Sequence, residues 1–157
     1  MVSFIVQFIS SILIGAFSSV FLNAPHRTWK PMALSGLLGW LVRYVLMEFF
    51  GIPSPIATYI SSLNVALLAQ YFARRRKQPS SIFLMPGLFP MVPGALIYQT
   101  VFEYLNGNTA LGFYYLTDTF LTGVSIVLGI FTVDSVLYKT KLYKEKLPKK
   151  NEHIKEE

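Results

Sequence analysis

Three prolines and two glycines fall within nine residues, Pro86-Gly87-Leu88-Phe89-Pro90-Met91-Val92-Pro93-Gly94, and Tyr98 follows four residues on. Each proline lacks an N–H and clashes with the carbonyl four residues earlier, so this density predicts an unwound helix rather than a single kink. Apolar sequence runs up to the stretch on both sides, which places the break inside a membrane. Unwound backbone there leaves amides and carbonyls that only protein, water or a ligand makes tolerable. A half-helix restarting near Gly94 presents free N–H groups and a positive dipole end, an arrangement suited to a carboxylate. Broken helices of this kind build substrate sites in secondary transporters. A kink without a ligand is the plainer alternative.

Ionisable and polar groups inside the other apolar runs are the remaining candidates. Arg43 lies about 10 Å below the outer end of its span at ~1.5 Å per residue, and Asp118 sits at comparable depth in another. Unpaired, each costs several kcal/mol in hydrocarbon, roughly 2.5–3.5 on insertion scales. The matched depth predicts an ion pair across the bundle, against the alternative of Arg43 snorkelling toward headgroups. Asn64 falls near mid-depth and needs a partner or water. Asp134 lies about one turn from a span end, and snorkelling accounts for it.

Small and polar residues also recur at helical spacing: Gln7, Ser11, Gly15 and Ser18; Gly36, Gly39 and Arg43; Ala57, Ser61 and Asn64; Asp118, Thr122, Ser125, Gly129 and Thr132. Steps of three and four put each set on one helix face. In lipid such faces mark close helix approach, and packing explains most of them; a polar pathway is the functional reading where Arg43 and Asp118 join.

The elements that must carry these residues follow from hydropathy. Of 157 residues, 53% are hydrophobic and only 14% charged, against about 25% charged in a soluble domain. The prediction is an all-α polytopic transmembrane bundle of five spans, near 2–22, 31–50, 55–73, 80–105 and 111–138, the fourth broken by prolines. A four-span bundle, with spans two and three as one re-entrant unit, is the alternative. Residues 1–138 form the membrane domain and 139–157 a polar cytoplasmic tail that frays. Strands of a barrel are about ten residues long and alternate; these runs are twice that length. The apolar start lacks a basic n-region and an A-x-A-like site, so it is read as a retained span.

Fourteen Lys and Arg give a net charge of +6. From the N-terminus onward the inter-span segments carry zero, two, zero, four, zero and seven of them. By the positive-inside bias this alternation sets the N-terminus outside and the C-terminus inside. The positive charge flanks spans, which fits anionic lipid headgroups and not nucleic acid. There is no cysteine, so thiolate metal sites are excluded, and neither a metal nor a cofactor is expected. His26 and His153 are read as solvated bystanders, and no nucleophile–base or paired-carboxylate set supports an enzyme.

Asn23-x-Pro25-x-Arg27, Gly36-x-x-Gly39-x-x-x-Arg43, Ser61-Ser62 ahead of Ala73-Arg74, and Pro90-x-x-Pro93-Gly94-x-x-x-Tyr98 occur in that order. Together they resemble the C-terminal membrane half of the threonine/serine exporter family, over nearly the whole chain apart from the tail beyond about 140. That half also occurs as a separate small subunit, as in the two-subunit bacterial succinate exporter. The resemblance implies a bacterial cytoplasmic (inner) membrane exporter of small carboxylate-bearing metabolites, working with a larger subunit that carries the other membrane half. It leaves amino acid and dicarboxylate open as substrates, and a homo-oligomer stays open as an assembly. The candidate pathway residues are then Arg43, Asn64, Pro86, Gly87, Pro90, Pro93, Gly94, Tyr98 and Asp118. Five spans are an odd number and 157 residues few for a self-sufficient carrier, which also points to a partner. With no nucleotide-binding loop, export driven by a gradient is expected. A non-transporting scaffold or assembly subunit is the competing reading.

Overall fold

The computed structural model describes the backbone of residues 2–153 and the side chains of residues 4–139. It is helical throughout, with no strand among the described residues. The helices are α1 (Val2–Phe21), α2 (Trp29–Glu48), α3 (Ser54–Arg76), α4 (Ser81–Leu88), α5 (Gly94–Leu105) and α6 (Thr109–His153). Short 3-10 turns lie at His26–Thr28 and Phe89–Met91.

Four helices end on a left-handed residue, the conformation that satisfies terminal carbonyls. Asn23 (φ 51°), Gly51 (φ 61°), Lys77 (φ 52°) and Gly107 (φ 78°) hold these positions. The following amides fold back onto the ladder: Ala24 N–H donates to the Ser19 carbonyl at 2.9 Å, Gln78 to Ala73 at 3.1 Å and Asn108 to Glu103 at 2.9 Å.

Four stretches are long and apolar enough to cross a membrane: Phe4–Phe21, Ser54–Arg76, Ser81–Leu105 and Thr109–Lys139. The third comprises α4, the break and α5. α2 has the length but carries Lys30, Arg43 and Glu48. It packs against α1, α3 and α4 at once, so most of its surface meets protein, and a helix shielded from lipid needs less apolar character. The outward faces of α1, α5 and α6 are correspondingly apolar, with Phe17, Phe21, Leu105, Phe120 and Phe131 exposed.

The bundle is held by close backbone crossings. A Cβ on Gly15 would meet the Ala33 Cα at 2.8 Å, and one on Gly36 the carbonyls of Pro86 and Ser11 at 3.1 Å. One on Gly39 would meet Met91 Cε at 2.6 Å, Val65 Cγ2 at 2.7 Å and the Gly87 carbonyl at 2.8 Å. Such contacts leave no room for a side chain and bring α1, α2 and α4 within van der Waals reach. Ala24, Met32, Ala69, Ala73 and Phe83 form the buried cluster at the loop end of this crossing.

Two expectations are corrected. Pro86 and Gly87 do not belong to the unwound stretch: both are helical residues of α4. Pro86 leaves the Ile82 carbonyl without its helical donor, and beside it the Ser35 hydroxyl, on α2, donates to the Phe83 carbonyl at 2.9 Å. Protein packing thus holds the turn together. Second, the charged run from Lys139 does not fray at once; its backbone extends α6 to His153, since Lys, Leu and Glu are good helix formers. Residues 154–157 of the expected tail lie outside the described residues.

Candidate functional site

The break spans Phe89 to Pro93. A 3-10 turn at Phe89–Met91 is followed by Val92 in an extended conformation (φ −58°, ψ 127°) and Pro93 at φ −78°, ψ 53°. Pro93 is the centre of an inverse γ-turn, closed by the Gly94 N–H donating to the Val92 carbonyl at 2.8 Å. α5 restarts at Gly94, where the sequence places it, and no side chain caps it. Its first helical bond from this end runs from the Ile97 N–H to the Pro93 carbonyl at 3.0 Å. The N–H groups of Ala95 and Leu96 therefore have no backbone partner among the described residues, and they carry the positive end of the helix dipole.

Those two residues border a cavity of about 320 Å³ that also receives Gln7 and Ser10 of α1, Trp40 and Arg43 of α2, and Pro90 and Pro93 of the break. Arg43 and the uncapped start of α5 thus line one space together with residues of α1. A second cavity of about 260 Å³ adjoins it, sharing Gln7, Trp40 and Arg43 and continuing to Tyr44 and Glu48 at the end of α2.

Arg43 does not snorkel. Its Nε donates to the Thr58 hydroxyl at 3.0 Å and its Nη2 to the Ser54 hydroxyl at 3.1 Å, both on α3. Ser54 in turn lies 3.5 Å from the Thr122 hydroxyl of α6. The expected ion pair with Asp118 is replaced by this relay, and no direct ion pair joins the two among the described residues. Asp118 stands one turn before Thr122, the α6 hydroxyl at the end of this relay.

The other predicted residues fall in different places. Gly94 is open, with no atom near the position of a Cβ. Gly87 is pressed against Val65 and Ser35 and serves packing together with buried Pro86. Asn64 is half-buried on α3 and borders neither cavity. Tyr98 is 68% exposed, stacks on Phe102 with ring centroids 6.0 Å apart and borders neither cavity. Asp134 accepts from Gln70 at 3.1 Å instead of only reaching for solvent. The α6 stripe faces α3: Ser62 packs into Gly129, and the Tyr59 hydroxyl lies 3.2 Å from that of Thr132.

Ser54, Thr58, Trp40 and Glu48 are site residues that sequence reasoning missed. Ser54 reads as part of a proline turn. Thr58 sits beside the Ala57-Ser61 stripe, and its hydroxyl becomes informative only once Arg43 is known to reach across to α3.

The fold and cavity define a multi-pass helical membrane protein with a polar site at a broken helix. The family described as Threonine/Serine exporter, ThrE matches residues 4–136. The chain is 27% identical over 119 residues to the threonine/serine exporter of Corynebacterium glutamicum, covering 74% of this chain and 24% of that protein. It is 28% identical over 132 residues to a probable threonine/serine exporter of Mycobacterium tuberculosis (strain ATCC 25618 / H37Rv), covering 79% and 25%. The chain belongs to the threonine/serine exporter family, and it spans about a quarter of the length of these curated relatives. No solved structure matches it.

Proposed function

We propose that this chain is the small membrane subunit of a secondary exporter of small carboxylate-bearing metabolites, threonine and serine or succinate-like acids, in a bacterial cytoplasmic membrane. It works with a larger subunit that supplies the other membrane half, and an ion gradient drives it. The observation that carries the proposal is the cavity lined by both Arg43 and the first residues of the uncapped helix α5, Ala95 and Leu96. A carboxylate there would exchange its hydration for charge-assisted hydrogen bonds from a guanidinium and a helix start. Such a cation in a membrane is costly unless it has such a use. Family membership and its bacterial relatives support the export reading.

The test is counterflow of threonine, serine and succinate in proteoliposomes containing this chain with its co-expressed larger subunit. Arg43→Gln should reduce uptake per assembled complex at least tenfold, the scale of one charge-assisted bond. Substitutions at Arg43 and Pro93 that lower complex abundance and leave efflux per complex intact would establish the scaffold reading instead. Counterflow from this chain alone would remove the need for a partner.

A further inference from the structure

Two side-chain amides within the membrane helices have nothing to bond. Gln7 on α1 and Gln99 on α5 are both exposed, and neither has a hydrogen-bond partner among the described residues. Each lies roughly 7–9 Å inside the nearer end of its helix at ~1.5 Å per residue. The two helices line the Arg43 cavity, Gln7 and Ser10 from α1, Ala95 and Leu96 from α5, without packing extensively on each other. On α5, Ala95, Tyr98, Gln99 and Phe102 are all exposed, and steps of three and four put them on one face. Gly94, at the root of that face, has open space where a Cβ would stand. The Tyr98 hydroxyl, like the amides, makes no hydrogen bond among the described residues. Polar groups bared to acyl chains without a partner cost free energy, so this surface is poorly suited to lipid. The outward face of α6 differs, with Phe113, Phe120, Val127 and Phe131 exposed.

We propose that the groove lined by α1 and α5 receives a transmembrane helix of the larger subunit, which hydrogen-bonds to Gln7, Tyr98 and Gln99 and closes the Arg43 cavity against lipid. This rests on the two-subunit reading above and gives the second subunit its place. Apolar contact alone gives helices no drive to associate in lipid; close packing and interhelical hydrogen bonds do. Gly94 and Ala95 permit close approach, and the unpaired amides supply the bonds. The matching helix therefore carries small residues with Ser, Thr, Asn or Gln among them. A second copy of this chain fits the groove worse. A two-fold pair sets the same patch of both copies together, which would bring two Arg43 guanidiniums into one enclosure. No acidic side chain lines that cavity to offset them.

The experiment places a benzophenone amino acid at Gln7, Gln99, Phe120 or Phe131 in the complex with its co-expressed larger subunit and irradiates the membranes. Gln7 and Gln99 should crosslink to the larger subunit, and Phe120 and Phe131 to lipid. A second arm combines Gln7→Leu with Gln99→Leu, which suit the chain to lipid and spare its fold. The larger subunit retained per copy of this chain should fall about tenfold, the scale of two interhelical hydrogen bonds, while this chain's abundance in the membrane stays the same. Full retention with both leucines overturns the proposal. Crosslinks from Gln7 and Gln99 to lipid alone or to a second copy overturn it too, as does a larger subunit captured only from Phe120 or Phe131. These results leave the two-subunit reading standing wherever the larger subunit co-purifies with the unaltered chain. Its absence from that preparation refutes the two-subunit reading, and this proposal with it.

Discussion

The Arg43 guanidinium donates to the buried Thr58 hydroxyl at 3.0 Å, tying α2 to α3 at the floor of the cavity. A cation held by hydroxyls keeps its full charge available to a ligand, whereas one held by a carboxylate is already neutralised. Thr58→Val preserves shape and removes the acceptor. It should weaken carboxylate binding roughly tenfold, in line with a lost hydrogen bond to a charged group, with little effect on complex abundance. Concentration dependence of counterflow checks this, and a change confined to maximal rate would contradict it.

The relay through Ser54 to Thr122 makes a specific statement about Asp118. Exchanging the two charges, Arg43→Asp with Asp118→Arg, should not restore counterflow lost in either single variant. The hydroxyls of Ser54 and Thr58 are placed for a guanidinium on α2, and they would not orient one arriving from α6. Recovery to half of the unaltered rate would show that the two residues pair directly in the working complex.

Gly87 packs where only a hydrogen fits. Gly87→Ala drives a methyl into Val65 and to 2.6 Å from the Ser35 hydroxyl oxygen, and overpacking of this kind costs about 1–3 kcal/mol. The expected result is a lower thermal unfolding temperature in detergent. Adding Val65→Ala should recover part of the loss, because Val65 supplies the nearest contact. A double variant no more stable than Gly87→Ala would place the strain elsewhere.

Because the chain has no cysteine, single introduced thiols report its orientation. A thiol at Asn106 should be labelled by an impermeant maleimide from outside the cell, and one at Gln78 only after the membrane is opened. The reverse pattern would invert the bundle and with it the direction in which the cavity faces.

The start of the second half-helix at Gly94 was legible because proline chemistry is local, needing only the missing N–H and the ring clash. The fate of Pro86 was not, since the turn that holds it packs against Ser35, 51 positions away in the chain and on another helix. α2 shows the same division. Its length reads directly from the residues, but its tolerance of Arg43 arises from the hydroxyls of Ser54 and Thr58 on a neighbouring helix. Tyr98 shows the converse: its spacing after the break is regular, yet helical rotation carries the ring to the outside, where it stacks on Phe102. Spacing along one helix fixes which residues share a face, and packing decides what that face meets.

Among the described residues α5 packs extensively on α6 only, while α4 is wedged among α1, α2 and α3. The five residues from Phe89 to Pro93 therefore join two elements with different neighbours, and no continuous ladder of helical hydrogen bonds stiffens the join. A sideways load on the α5–α6 hairpin would be absorbed at Val92 and Pro93 before it reached the glycine crossing. The mouth above Arg43 can then widen or narrow by a tilt of one hairpin, with the tightly interlocked remainder serving as its frame.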